Sequence, residues 1–144
     1  EPGRFLTANG GVLLADVLYT KTNSLGKNFV VVNAAMTELL RPSLYKSYHH
    51  VQPIEMIDNF DFNTDIVGPV CETGDYIAKE REITMVGRGD KLAIMSAGAY
   101  GMVMSSNYNG RRRPAEILVD GSEYKVVRSR ETFGHLIFDE DTHL

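Results

Sequence analysis

Hydrophobic and polar positions divide the chain into short segments, most of which have the two-residue period or the β-branched content of strands. The run that ends in Phe29-Val30-Val31-Val32 is typical of a buried strand over 27–32. Asp120-Gly121-Ser122 has the composition of a tight turn and predicts a hairpin between the segments on either side of it. The further strands predicted by the pattern are 12–19, 65–70, 76–83, 91–95, 100–105, 116–119 and 124–127.

Two stretches have helical character instead. A short helix is predicted after Arg4, broken near Gly10-Gly11. Between 36 and 50 the apolar residues have helical spacing, interrupted by Pro42, which fits the first position of a short helix. The sequence therefore predicts a mainly β domain, a barrel or a sandwich with one or two short helices, formed by residues 1–144 as a single unit.

Composition narrows the class of protein. The chain has 144 residues, of which 43% are hydrophobic and 24% charged, as in an ordinary soluble domain with a real core. The net charge of −4 argues against a nucleic-acid partner. Arg111-Arg112-Arg113 is a local exception, which we interpret as a solvated turn, with the docking of another protein surface as the alternative.

The remaining features of composition concern the compartment. No apolar run approaches the length that spans a membrane, and no signal-peptide pattern opens the chain. A single cysteine rules out an intramolecular disulfide, so we expect a reducing, cytoplasmic setting without a membrane partner.

That cysteine lies beside a carboxylate, in the segment Gly68-Pro69-Val70-Cys71-Glu72-Thr73-Gly74-Asp75, here named the Cys-Glu loop (residues 68–75). Turn-forming pairs bracket Cys71 and Glu72, so the pair is predicted on a loop held at both ends. A thiol and a carboxylate on such a loop can supply a proton and a negative charge to a substrate. On local sequence alone, an inert cysteine next to a solvated glutamate is the commoner outcome.

Other segments have the chemistry of anion binding. Glu1-Pro2-Gly3-Arg4 precedes a helix and suits a phosphate or carboxylate, although an ordinary helix lead-in with an exposed arginine explains it as well. Arg41 and Tyr45, four residues apart, can grip a carboxylate together, or form a surface arginine beside a half-buried tyrosine.

Two further candidates are less specific. Tyr100, between small residues, can donate to a phosphate or to substrate, or pack as a strand aromatic. His49-His50 has no other His or Cys at ligand spacing, so no metal site is predicted.

In order along the chain, several segments resemble the C-terminal portion of the diaminopimelate decarboxylase family. They are EPGR (1–4), residues 29–53, GPVCETGD (68–75), residues 96–121 and SRET (129–132). The resemblance implies an enzyme dependent on pyridoxal 5'-phosphate, with the alanine-racemase-like fold. In that fold a (β/α)8 barrel carries the cofactor on a lysine, and a C-terminal β domain completes the site. The implied reaction converts meso-2,6-diaminopimelate to L-lysine and CO2.

The resemblance also implies a role for each candidate residue. The turn formed by Glu1, Pro2, Gly3 and Arg4 contacts the cofactor phosphate, and Arg4 also reaches substrate. Arg41 and Tyr45 hold a substrate carboxylate, Glu72 receives the distal amino group, Tyr100 lies near cofactor phosphate and substrate, and Cys71 is the proton donor. The Cys-Glu loop enters the site of the neighbouring subunit, which implies an obligate homodimer.

Two departures from the family pattern matter. Thr73 stands where the family usually has serine, a change that keeps the hydroxyl. The cofactor barrel and its lysine have no counterpart in the chain, so Glu1 is expected to lie at the junction with a missing barrel, and the fragment by itself is expected to be inactive. The alternatives are a related ornithine, arginine or carboxynorspermidine decarboxylase, and a non-catalytic dimerisation module.

Overall fold

The protein is described here from a computed structural model, which covers residues 2–55 and 60–140. Its α-helices are α1 (Pro2–Thr7), α2 (Arg41–Tyr45) and α3 (Phe133–Leu136). Its strands are β1 (Leu13–Thr22), β2 (Asn28–Val32), β3 (Val51–Pro53), β4 (Asp61–Val67), β5 (Tyr76–Thr84), β6 (Lys91–Ile94), β7 (Glu116–Asp120) and β8 (Glu123–Arg128). The chain divides into two compact units, residues 1–105 and residues 106–144, and each is described by itself.

A six-stranded sheet in the order β3-β6-β1-β2-β4-β5 forms the first unit. Its strand pairs are antiparallel except β2 and β4, which run parallel with Val30 opposite Ile66. The two edge strands, β3 and β5, contact each other, so the sheet nearly closes on itself. The predicted mainly β, barrel-like fold is therefore confirmed.

The core of this unit lies inside the curved sheet. The β-branched run of β2 is buried from Val30 to Val32, as its sequence predicts. Buried apolar side chains from every strand of the sheet pack with it, among them Val17, Val51, Ile66, Ile77, Leu92 and Ile94. Burial of apolar surface stabilises the folded state by on the order of 25 cal/mol per Å². The sheet is therefore a stable base for the loops that connect its strands.

Both stretches of the first unit that were predicted to be helical contain a helix, although in the stretch 36–50 it covers only Arg41–Tyr45. α1 is followed by a 3-10 turn at Ala8–Gly10 and ends before Gly11, where the backbone becomes extended. α2 has Pro42 in its first turn, where proline's missing N–H costs nothing, and ends at Lys46 in the left-handed conformation.

The strand predicted over 100–105 is wrong. Tyr100 has a positive φ of 60°, and Met102–Met104 form a 3-10 helix instead. Gly101 turns so tightly that a Cβ on it would collide with the carbonyl oxygen of Ala97. These backbone conformations are incompatible with an extended strand.

The second unit contains the predicted hairpin. β7 and β8 pair antiparallel with Asp120 opposite Glu123, and Gly121 in the turn has a φ of 58°. A 3-10 turn at Tyr108–Gly110 directly precedes Arg111-Arg112-Arg113, and α3 begins with a reciprocal cap between Thr132 and His135. Whether the two units act as one domain over residues 1–144 stays a prediction. In the described part of the chain, no helix is long and apolar enough to cross a membrane.

Candidate functional site

The Cys-Glu loop connects β4 to β5 and is organised by the buried carboxylate of Asp75. Its Oδ2 accepts a hydrogen bond from the backbone N–H of Val70 at 2.6 Å, and its Oδ1 accepts one from Met36 at 2.7 Å. Gly68 lies against the same carboxylate, and a Cβ at this position would be 2.6 Å from Oδ1. The turn residues that bracket Cys71 and Glu72 therefore fix the loop at both ends, as predicted.

The loop also docks onto α2. The hydroxyl of Ser43 donates to the carbonyl oxygen of Gly74, and the hydroxyl of Tyr76 donates to the carbonyl oxygen of Pro42 at 3.1 Å. The helix that begins at Arg41 and ends at Tyr45 thus shares one hydrogen-bonded framework with the loop.

Cys71 and Glu72 themselves are exposed on the loop. They line an open groove of about 700 Å³, whose other walls come mainly from β1, β2, β4 and β5. The side chain of Glu72 turns back toward the loop, where Oε1 accepts the N–H of Gly74 at 3.2 Å. Lys21 and Lys79 lie in the same groove, so its polar side chains carry both signs of charge.

Arg41 and Tyr100 meet at a different place on the first unit. The guanidinium carbon of Arg41 lies 5.9 Å from the centre of the Tyr100 ring, within the range of a cation–π contact. Tyr45, one turn along α2, is 62% exposed. None of Arg41, Tyr45 and Tyr100 is among the described residues that line the groove of Cys71. These predicted site residues therefore fall into two groups. Cys71 and Glu72 line the groove, whereas Arg41, Tyr45 and Tyr100, here named the Arg41 group, do not.

The segment that bears Tyr100 packs against the end of α1. The N–H of Gly98 donates to the carbonyl oxygen of Ala8 at 3.0 Å, and a Cβ on Gly98 would lie 2.8 Å from the nitrogen of Gly11. Only glycine allows this approach. Pro2, Gly3 and Arg4 are exposed on the same helix, whereas the predicted cofactor contact Glu1 lies outside the described residues.

His49 lies beside Arg41, a contact that the sequence did not predict. It is only 1% exposed, and its Nε2 lies 3.5 Å from Nη1 of Arg41. Burial lowers the pKa of His49, and the positive charges of Arg41 and Arg81 lower it further, against a hydrogen bond to Met95 that raises it. A histidine pair in the sequence hinted at this position, but only as a metal ligand. Across the described ranges, no three His, Cys, Asp or Glu side chains are grouped to hold a metal ion.

The family model for the pyridoxal-dependent decarboxylase C-terminal sheet domain matches residues 5–98. The chain belongs to this family. It is similar to the diaminopimelate decarboxylase of Neisseria meningitidis serogroup B, 51% identical over 140 residues, which are 97% of this chain and 33% of that protein. It is also similar to the diaminopimelate decarboxylase of Aquifex aeolicus, 47% identical over 137 residues, which are 95% of this chain and 32% of the relative.

A solved structure supports the same family. Diaminopimelate decarboxylase from Helicobacter pylori, complexed with L-lysine, matches with a TM-score of 0.89 and 38% identity. The match covers 98% of this chain and 34% of that one. The chain thus spans about a third of the length of the relatives that it matches. The predicted membership of the diaminopimelate decarboxylase group of this family is confirmed.

The family's description implies pyridoxal phosphate, and the residues here fit its phosphate group. Gly3 and Arg4 lie in the first turn of α1, where backbone N–H groups have no partner within the helix. The guanidinium of Arg4 and the hydroxyl of Tyr100 are further donors, and space around Gly3 is open. Backbone N–H, guanidinium and phenol are donor types that bind phosphate.

Proposed function

We propose that this chain is the C-terminal part of a pyridoxal-phosphate decarboxylase that converts meso-2,6-diaminopimelate to L-lysine and CO2 in the cytoplasm. The observation that carries the proposal is the near-complete coverage of the chain by diaminopimelate decarboxylases at about half identity. The cofactor supplies an electron sink for the bond that breaks, and this chain supplies substrate contacts and a proton.

The Arg41 group is proposed to bind substrate. Arg41 presents a fork of donors that matches a carboxylate, and Tyr45 adds a hydroxyl from one turn further along α2. Tyr100 is proposed to lie near cofactor phosphate and substrate, and Arg4 to contact both. The cation–π contact of Arg41 with Tyr100 supports a shared task for the two residues.

The Cys-Glu loop is proposed to act in the neighbouring subunit of a homodimer. Cys71 is then the proton donor to the carbon that loses CO2, and Glu72 binds the distal amino group of the substrate. This division is supported by the lining of the Cys71 groove, because Arg41 and Tyr100 are not among the described residues that line it. The rigid anchoring of the loop by Asp75 suits a segment that must reach a partner.

Replacing Cys71 by alanine in the full-length protein tests the proton donor. We expect kcat for diaminopimelate to fall roughly a hundredfold or more with little change in KM, because positioned proton transfer contributes about 10²–10⁴ in rate. Thr73→Ser, a change in the same loop toward the residue usual in the family, is the matched control and should leave kcat close to wild type. An unchanged kcat in Cys71→Ala would remove this residue from the role.

A second candidate is a related decarboxylase that acts on ornithine, arginine or carboxynorspermidine. The pairing of Arg41 with Tyr45 favours a substrate with a distal carboxylate. Turnover of diaminopimelate, ornithine and arginine by the full-length protein separates the candidates. A clear preference for a substrate without the distal carboxylate would overturn the proposal that diaminopimelate is the substrate. Lysine formation by the 144-residue chain alone would contradict the proposal that the site needs a barrel.

A further inference from the structure

His49 is a buried titratable group that the proposed chemistry does not use. It lies between α2 and β3, and its Nδ1 is 2.9 Å from the carbonyl oxygen of Met95, just beyond β6. A carbonyl oxygen only accepts hydrogen bonds, so Nδ1 carries the proton. In the neutral ring the other nitrogen, Nε2, is then an acceptor with a free lone pair.

That acceptor faces a group that only donates. Nη1 of Arg41 lies 3.5 Å from Nε2 of His49, which is a long hydrogen bond. Hydrogen bonds of active sites are often this long without substrate and tighten in the complex. The Tyr100 ring lies against the guanidinium of the same arginine. Arg41 is therefore restrained by an acceptor and by an aromatic ring.

The surroundings of His49 keep it neutral. Burial is the main cause that lowers the pKa of the ring, the hydrogen bond to Met95 acts against it, and the charges of Arg41 on α2 and Arg81 on β5 lower the pKa further. Arg81 is itself held close, since its guanidinium carbon lies 3.8 Å from the centre of the Tyr48 ring. Within the described part of the chain, the Nε of Arg81 is buried and has no hydrogen-bond partner.

We propose that His49 is a positioning residue, which holds the guanidinium of Arg41 through Nε2 in the orientation that receives the substrate carboxylate. The inference rests on the proposed function for the role of Arg41, but the contact itself belongs to this chain alone. A protonated His49 has no lone pair and repels Arg41. The KM for diaminopimelate should therefore rise as the pH falls through the lowered pKa of His49, a step that is absent when the residue cannot titrate.

Two amide variants of the full-length protein separate the role of Nε2 as acceptor for Arg41 from the hydrogen bond between Nδ1 and Met95. In His49→Asn the amide N–H can replace Nδ1 as donor to Met95, but no acceptor reaches Arg41. In His49→Gln the longer side chain places its oxygen near the former Nε2. We expect His49→Asn to raise KM about fivefold, equivalent to about 1 kcal/mol, with kcat nearly unchanged. His49→Gln should recover most of the wild-type KM and lack the acidic step.

Equal rises of KM in both variants, or a loss of thermal stability with KM unchanged, would overturn the proposal in favour of a packing role. The proposed function is checked separately by turnover in the wild type. If the wild type does not act on diaminopimelate, the order of Arg41 remains measurable by NMR of its side-chain Nε–H. That group should be ordered in the wild type and in His49→Gln and averaged in His49→Asn, and equal order in all three would exclude positioning.

Discussion

At the scale of single residues, the shape of the Cys-Glu loop depends on one carboxylate and one missing side chain. Asp75 accepts two backbone N–H groups, one from Val70 within the loop and one from Met36 outside it. Gly68 lies so close to this carboxylate that no Cβ fits. A substitution of Gly68 or Asp75 should therefore change the position of Cys71.

Gly68→Ala should destabilise the protein by about 1–3 kcal/mol, because the new methyl group must displace the Asp75 carboxylate from its hydrogen bonds. Gly74→Ala is a matched control in the same loop, since a Cβ there would lie 3.8 Å from its nearest neighbour, an ordinary contact. Chemical denaturation of the two variants makes the comparison. Equal stability losses would mean that contact with Asp75 is not responsible.

The residues of the site differ in how much their sequence reveals. Gly68 and Asp75 belong to turn pairs, so a clamped loop was predictable from neighbours alone. The role of His49 was not predictable, because it depends on a hydrogen bond to Met95, 46 positions away in sequence. That bond places the proton on Nδ1 and leaves Nε2 as an acceptor. Motif order identified Arg41 and Tyr100, but their contact with each other is a product of the fold.

At the scale of elements, one carboxylate ties the arginine-rich stretch to the segment before α3. Glu131 accepts hydrogen bonds from the backbone N–H of Arg113 at 2.7 Å and from its Nε at 2.6 Å. The side chain of Asn107 donates to the same carboxylate at 2.6 Å. The stretch interpreted as a solvated turn is therefore held in place by Glu131, which bonds Asn107 before the three arginines and Arg113 at their end.

This anchor should weaken in acid. Hydrogen bonds from Arg113 lower the pKa of Glu131 from 4.5 to about 2. A carboxylate with a lowered pKa stabilises the folded state fully above its unfolded pKa and loses that effect as the pH falls toward its folded pKa. The stability difference between wild type and Glu131→Gln should be constant above about pH 5 and shrink between about pH 4.5 and pH 2. Urea unfolding across this range measures it, and a difference independent of pH would contradict the assignment.

Elements with strong local signals were predicted correctly. Pro42 fixed the start of α2, and Asp120-Gly121-Ser122 marked the turn between β7 and β8. The failure at 100–105 has a tertiary cause, since the small residues around Tyr100 serve close packing against α1 and not an extended strand. The apolar residues of that segment gave no sign of this contact.

At the scale of the whole molecule, the two groups of site residues predict that each active site is formed by residues of two subunits. If Cys71 acts on the neighbouring subunit while Arg41 serves its own, each active site needs one residue from each chain. A symmetric dimer then contains two such composite sites.

Mixing two inactive full-length variants tests this arrangement. Cys71→Ala and Arg41→Ala, unfolded and refolded together, should regain up to about a quarter of wild-type activity, because half of the dimers are mixed and each has one intact site. Each variant refolded alone is the control. No recovery in dimers shown to be mixed would place both residues in the same subunit's site.

The parallel pairing of β2 with β4 has a consequence for how the chain folds. Parallel neighbours need a crossover, and here it is residues 33–60, which carry α2 and β3. The ladders β1–β2 and β4–β5 join strands that are adjacent in sequence, so they close small loops. The two ladders can join only when the longer loop, residues 33–60, closes. A contact between residues so far apart in sequence raises the contact order and slows folding. The segment that bears Arg41 and His49 must therefore be in place before the two ladders can join into one sheet.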